Sequence, residues 1–357
     1  EIIYLLLFFA YHSIDFQNTF KYNTSILEGT FRNKYTYPHP KIIMIRKILT
    51  IDGGGIKGVF PASFLSAIEE TTGKKISDYF DLIVGTSTGG IIALGLGIGF
   101  SAKELLEFYE QLGPEVFKGN RLARFLRSIG ISKYSNTSLR KALEEKFAGK
   151  KLGESKNRLV IPSLNLENGE VHVYKTAHHQ RLQRDYKEKI VDIALATSAA
   201  PTYFPTYSSA SGIPLVDGGL WANNPMGLAV VEAIGILEWP RDQLKVLSIG
   251  CTTEPMNIKW ARRFPMGKAY WGFKVADLFM SAQSSASLGT AQLLAGHANI
   301  TRISPSVANG KFGLDVIKEM ESLKGLGNSE ARKALPNIES FFVDKVEPFE
   351  PNYKLTN

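Results

Sequence analysis

Short apolar runs of strand length alternate along the chain with longer stretches whose apolar residues recur at helical spacing. Lys47 to Ile51 reads as the first core strand, opened by Met44. A helix is predicted from Phe60 to Thr71, apolar at Phe64, Leu65 and Ile68. Leu82, Ile83 and Val84 form a second buried strand, and the small apolar residues from Gly90 to Leu96 suit a helix packed on a sheet. Ser101-Ala102-Lys103-Glu104 is a capping box that opens a helix through about Leu112. Asn136 or Thr137 caps another that runs to Phe147. Arg158 to Leu166 and Glu170 to Lys175 predict strands around the turn Glu167-Asn168-Gly169. A short helix is expected from Asp192 to Ala200, ended by Pro201. Then follow a strand at Pro214 to Val216, a helix from Met226 to Leu237, a strand at Lys245 to Ile249, a helix from Tyr270 to Leu294 and a last strand at Ile300 to Ile303. Polar helical segments and prolines complete the chain to Asn357. This alternation predicts an α/β fold.

Two stretches stand apart from that pattern. Residues 1–43 begin at Glu1 with an apolar run, Ile2 to Ala10, too short to span a bilayer. The run lacks the basic lead-in and small-residue cleavage site of a secretory signal. No periodicity follows before Pro38-His39-Pro40, so Met44 is the expected native start and residues 1–43 an upstream extension. In Lys118 to Ile129, Arg121, Arg124 and Arg127 recur every three residues, with Leu122, Phe125, Leu126 and Ile129 at helical spacing. Basic and apolar faces on one short helix suit a membrane interface, or else an ordinary surface helix with a solvated basic face.

With 357 residues, 44% of them hydrophobic, the chain can build a large core in one large domain or two smaller ones. Cys251 is its one cysteine, so no intrachain disulfide can form, as fits a reducing compartment. The formal net charge of +8 favours anionic partners: lipid headgroups, nucleotides or nucleic acid. Without an aromatic–basic RNA motif or zinc-ligand spacing, nucleic acid ranks last of these, and no metal site is expected.

The candidate chemistry lies in glycine-rich loops that follow strands. Gly85-Thr86-Ser87-Thr88-Gly89 fits Gly-x-Ser-x-Gly between a strand and a helix, the context of a nucleophile elbow. Such a turn strains the Ser87 backbone and lifts its hydroxyl above the sheet, while Gly85 and Gly89 remove side chains that would collide. Asp52-Gly53-Gly54-Gly55-Ile56-Lys57-Gly58 offers a row of bare backbone N–H groups that suits an anion. The P-loop pattern is absent and the dinucleotide fingerprint fits poorly, so an oxyanion hole beside Ser87 best explains both loops. Asp217, before Gly218 and Gly219, is a candidate base or a turn-capping residue. His178 and His179, among Arg181, Arg184, Lys187 and Lys189, could touch phosphate but read more readily as a solvated loop. His297, the one histidine after Asp217, would complete a Ser-Asp-His triad in the alternative mechanism.

These three loops, in this order and together with Ala-Thr-Ser-Ala-Ala-Pro-Thr-Tyr-Phe-Pro at 196–205, resemble the patatin-like phospholipases from about Ile48 to Pro305. The resemblance implies a three-layer α/β fold with a central, mostly parallel sheet flanked by helices and a C-terminal helical region. Residues 44–306 would be the catalytic domain and 307–357 a helical tail packed on it. The implied activity is a phospholipase A type hydrolase with Ser87 as nucleophile, Asp217 as base and Gly53, Gly54 and Gly55 in the oxyanion loop. Lys57, Gly58, Gly85, Gly89, Gly218 and Gly219 would support these motifs, and no cofactor is needed. Lys57 stands where the family usually has arginine; it keeps the charge but loses two-pronged hydrogen bonding. Tyr-Lys-Thr-Ala-His-His at 174–179 and the helical C-terminus are further similar to the patatin-like effectors of bacterial antiphage systems. That similarity implies a cyclic dinucleotide activator, a membrane phospholipid substrate and cytoplasmic action at the inner face of the membrane; a second copy of the chain is a further candidate partner that the sequence itself does not fix. The alternatives are a constitutive lipid acyl hydrolase without nucleotide control and a catalytically dead membrane- or nucleotide-binding module.

Overall fold

The computed structural model describes residues 44–116, 132–255, 263, 265 and 267–355. The stretches 1–43 and Lys118 to Ile129, singled out in the sequence, lie outside the described residues. Residues Met44–Asn357 group as one compact unit.

The elements follow the hydrophobic pattern. β1 (Arg46–Ile51) leads through the glycine loop into α1 (Val59–Thr72), and β2 (Leu82–Gly85) turns sharply into α2 (Thr88–Gly97). Next come α3 (Ala102–Val116), α4 (Asn136–Phe147), β3 (Arg158–Asn165), β4 (Val171–Lys175) and α5 (Ile190–Thr197). β5 (Tyr207–Ser208), β6 (Pro214–Asp217), α6 (Met226–Gly235), β7 (Leu244–Ile249), α7 (Lys268–Ala295), β8 (Ile300–Ile303) and α8 (Met320–Ile338) complete the order. The Ser101 capping box forms as the sequence predicts: Ser101 N–H donates to Glu104 Oε2 at 2.8 Å and Glu104 N–H to Ser101 Oγ at 3.2 Å. At α4 the cap is Ser135 rather than Asn136 or Thr137, its hydroxyl accepting from Thr137 N–H at 3.2 Å. Helix α5 stops at Thr197, short of Ala200. The carbonyls of Thr197 and Ala199 instead accept from the N–H groups of Gly218 and Asp217, at 3.3 and 3.1 Å.

Among the described residues the sheet has eight strands, in the order β5-β6-β3-β2-β1-β7-β8 with β4 on the other side of β3. β3, β2, β1, β7 and β8 are parallel, while β4, β5 and β6 pair antiparallel. Alternate residues of each central strand enter opposite layers, as the two-residue period requires. Leu49, Ile51, Ile83, Leu159, Ile161, Leu247 and Ile249 join one apolar cluster with α1 to α5 and α8. Ile48, Leu82, Val84, Val160 and Val246 join a second with α6 and α7. The result is the three-layer, mostly parallel α/β architecture expected. The C-terminal region shares the first cluster: α8 packs on α1, Phe341 stacks on Phe80 and Phe342 meets the Phe80 ring edge-on.

Strand lengths bring the two halves of the site together. β2 pairs with β3 only as far as Val84 opposite Val160, while Gly85 still pairs with Ile51 of β1 before the chain turns away. Beyond that point β6 pairs with the continuation of β3, with Asp217 opposite Ser163. β4 occupies the other edge of β3 throughout, so β6 takes the lane that β2 vacates. The end of β6 therefore faces the turn that ends β2.

Candidate active site

Ser87 is the apex of the turn from β2 into α2. Its φ of 54° and ψ of −120° lie where residues other than glycine are rarely found, the strained elbow expected from the motif. The neighbouring glycines permit it: a Cβ on Gly85 would lie 2.1 Å from the Gly89 carbonyl oxygen, and one on Gly89 2.3 Å from that of Ile51. Ser87 N–H donates to Thr197 Oγ1 at 3.0 Å, and the Thr197 hydroxyl donates to the Pro162 carbonyl at 2.6 Å. Helix α2 begins at the next residue, so its unpaired N–H groups and positive dipole end converge on the turn.

Ser87 Oγ donates to Asp217 Oδ2 at 2.6 Å. The other carboxylate oxygen, Oδ1, accepts from Gly219 N–H at 2.7 Å, which fixes the rotation of the carboxylate. Both residues are buried. Burial pushes the Asp217 pKa up to about 6, against the hydrogen bonds from Ser87 and Gly219 that favour the anion. A carboxylate tuned this way accepts a proton near neutrality more readily than an ordinary aspartate.

The glycine loop lies against Ser87, since a Cβ on Gly53 would be 3.3 Å from that of Ser87. Gly53 N–H is already given to the Asn223 carbonyl at 3.0 Å, so Gly53 anchors the loop instead of offering a donor. The N–H groups of Gly54 and Gly55 have no acceptor among the described residues. Gly54 backs onto Cys251, whose Sγ would sit 2.5 Å from an added Cβ, and Gly55 holds a φ of 59° that excludes most side chains. The Cys251 thiol is buried and pushed up to about 12, so it stays protonated. Gly58 meets Thr88 and Gly218 meets the Pro162 carbonyl at similarly short range.

The loop is tied down from the sheet. Arg302 on β8 grips the Asp52 carboxylate with both nitrogens, at 2.7 and 2.5 Å, and also donates to Ser248 Oγ at 2.7 Å. Burial opposes the Arg302 charge, but the Asp52 carboxylate outweighs it and holds the guanidinium pKa above its ordinary value. Ile56 N–H donates to the Leu314 carbonyl at 2.9 Å. The fork that lysine cannot supply at position 57 is thus supplied elsewhere. Lys57 instead lines a cavity of about 650 Å³ beside the loop, with Gly53, Gly54 and Arg302 and with Ser284 and Leu288 of α7.

A profile described as patatin-like phospholipase matches residues 49–230, which hold the glycine loop, the elbow and Asp217. The chain belongs to the patatin-like phospholipase family. Three curated relatives bear the name cGAMP-activated phospholipase. The one from Pseudomonas aeruginosa is 33% identical over 81% of this chain and 88% of its own length. That from Vibrio cholerae is 31% identical, over 84% and 92%. The Escherichia coli protein is 30% identical, over 85% and 94%.

Within this patatin-like phospholipase, neither candidate histidine site joins Ser87. Ile300 pairs with Val246, which aligns through Ile48 with Leu82, so His297 precedes the starting edge of the strands. Ser87 and Asp217 lie beyond the opposite edge, and the Ser-Asp-His alternative fails on topology. His178 is buried, not solvated as its sequence context suggests. Its Nε2 donates to Glu232 at 2.9 Å and its Nδ1 accepts from the Thr176 hydroxyl at 2.9 Å, while Lys175 holds the other Glu232 oxygen at 2.6 Å. Burial keeps His178 below the usual histidine range and neutral. Arg181, Arg184, Lys187 and Lys189 are exposed nearby. Two residues have roles at the site that no motif announces, Asn223 and Arg302, while Thr197 lies in the 196–205 motif without its hydrogen bond to Ser87 being legible there. The one legible signal was that Asp52, next to a buried strand, needed a cation.

Proposed function

We propose that the chain is a serine lipid acyl hydrolase of phospholipase A type that cleaves membrane glycerophospholipid esters through a Ser87–Asp217 dyad. The 2.6 Å hydrogen bond from Ser87 Oγ to a buried carboxylate, at a strained elbow over a helix N-terminus, carries the reading. Asp217 Oδ2 takes the hydroxyl proton as Ser87 Oγ attacks the ester carbonyl. The N–H groups of Gly54 and Gly55 receive the oxyanion, with the α2 dipole in support, and Gly53 holds the loop in place. Collapse expels the lysolipid alkoxide, which takes the proton back from Asp217. Water, activated by Asp217, then attacks the acyl-enzyme and releases the fatty acid and free Ser87.

The enzyme acts at the inner face of the cell membrane under control of a cyclic dinucleotide. The names of the three bacterial relatives support that control. So does the hazard of an unregulated enzyme that cuts its own cell's phospholipids. Switching from 1:99 to 99:1 requires about 10⁴-fold tighter binding of the nucleotide to the active state. Among the described residues no helix is long and apolar enough to cross a membrane. The experiment is ester turnover by the purified protein with and without a panel of cyclic dinucleotides, with Ser87→Ala and Asp217→Asn alongside. Turnover that rises with one nucleotide and vanishes in both variants is expected. High turnover unchanged across the panel favours a constitutive hydrolase, and near-parent turnover in either folded variant rules out the dyad.

A further inference from the structure

Helix α7 presents three faces with different surroundings. Its inner face is packed on α6: Ala291 and Ala295 are buried, and Ser287 Oγ accepts from Gly227 N–H at 2.8 Å and donates to the Asn224 carbonyl at 2.7 Å. A flank made of Met280, Ser281, Ser284, Ser285 and Leu288 lines the cavity beside the glycine loop. The outer face carries Val275, Leu278, Phe279, Ala282, Ala286 and Leu293, which recur at helical spacing and are all exposed. Phe279 is 67% exposed and Leu293 83%. From Val275 to Ala295 the helix has a single charged residue, Asp277, while Lys268 and Lys274 lie in its first two turns. Elsewhere among the described residues the exposed large apolar side chains stand singly, as Val231 and Val343 do, or in twos, as Leu166 and Val171 do on the β3–β4 hairpin.

We propose that the outer face of α7 is the surface by which the protein docks on a phospholipid bilayer. The proposal rests on the acyl-hydrolase reading for its purpose, because an enzyme that cuts diacyl lipids meets them at a membrane. Position favours a bilayer over a protein partner. The apolar face and the cavity-lining flank belong to one helix about 10–12 Å across, so a bilayer seated on the face brings the cavity wall to the lipid interface. A second copy seated there would stand between cavity and membrane. Charge agrees: a chain of net +8, with lysines at the start of the helix and an uncharged row after it, has the amphipathic composition that sinks into anionic headgroups.

The test is co-sedimentation with phosphatidylethanolamine–phosphatidylglycerol vesicles, with and without cyclic GMP–AMP, in the Ser87→Ala background. The lipid then stays intact and the result does not depend on the chemistry being right. Adding Phe279→Asp and Leu293→Asp together should weaken vesicle binding at least about tenfold. Phe279→Ala should fall between, and Leu166→Asp should bind as Ser87→Ala alone does. With Ser87 restored, the double variant should lose hydrolysis of vesicle lipid at least about tenfold more than hydrolysis of a soluble short-chain ester. Vesicle binding by the double variant equal to that of Ser87→Ala overturns the proposal, as does no vesicle binding by Ser87→Ala in either condition. A dimer that the double variant dissolves while vesicle binding persists assigns the face to a subunit interface instead. Absence of all ester turnover alongside intact, variant-sensitive binding counts against the hydrolase reading and leaves the docking surface standing.

Discussion

In the proposed dyad, burial suits Asp217 to act as the base and at the same time makes its anion destabilising. To accept the Ser87 proton it must be ionised, and its pKa of about 6 lies above the ordinary 3.8. Turnover of a soluble ester should therefore rise with pH through about 6 and level off above it, with a roughly tenfold loss at about pH 5. A pH–rate profile on a short-chain substrate reads this directly, and a midpoint near 4 would mean that the site does not raise the carboxyl. The same shift sets a stability dependence. The folded state holds the Asp217 proton more tightly than the unfolded chain, so the benefit is complete below 3.8 and is lost as pH rises through about 6. Above that, the buried anion costs roughly 3 kcal/mol relative to an aspartate with an ordinary pKa. Asp217→Asn should thus be inactive yet unfold no lower than the parent above about pH 7, with its relative advantage shrinking toward pH 4. Thermal unfolding across that range checks the sign.

At the scale of elements, the glycine loop is positioned by partners distant in sequence. Arg302 and Asp52 are 250 residues apart, and Gly53 reaches Asn223 across the site. Arg302→Met strands a buried carboxylate and should cost about 3–5 kcal/mol of stability. Arg302→Lys, which keeps charge without the fork, should be milder and should lower kcat on a soluble ester more than it raises KM. Steady-state kinetics on the folded lysine variant separates this from a purely structural role, in which both constants stay near those of the parent. Gly54→Val drives a side chain into Cys251 and turns its N–H away, so turnover should fall about 100- to 1,000-fold. A loss of only a few-fold would mean that the glycines serve packing alone. Elements with a strong local signal were legible in the sequence: the strand at Ile300–Ile303, the Ser101 box and the glycine turns all carry their cause within a few residues. The end of α5 was not, because the carbonyls that stop it are claimed by a turn some twenty residues on.

At the scale of the whole molecule, the site is a consequence of register. Ser87 and Asp217 are 130 residues apart and meet because β2 is short and β6 fills its lane. The motifs made both residues visible as candidates, but periodicity contains no information on which strands pair or where. For that reason His297 stayed open as a partner in the sequence and closes only once the strand edges are known. The same holds for His178, whose buried partner Glu232 is 54 residues away. The C-terminal region is part of the main core, so Phe342→Ala should lower stability by about 3–5 kcal/mol, read as a lower urea midpoint. The most direct test of the dyad is covalent trapping. The protein is incubated with a lipid-like fluorophosphonate, and the adduct is located by intact-mass and peptide mass spectrometry. A single phosphonyl adduct on Ser87, absent from Ser87→Ala and formed far more slowly in Asp217→Asn, is the predicted result. An adduct on another residue, or labelling of Ser87 at the parent rate without Asp217, would contradict it.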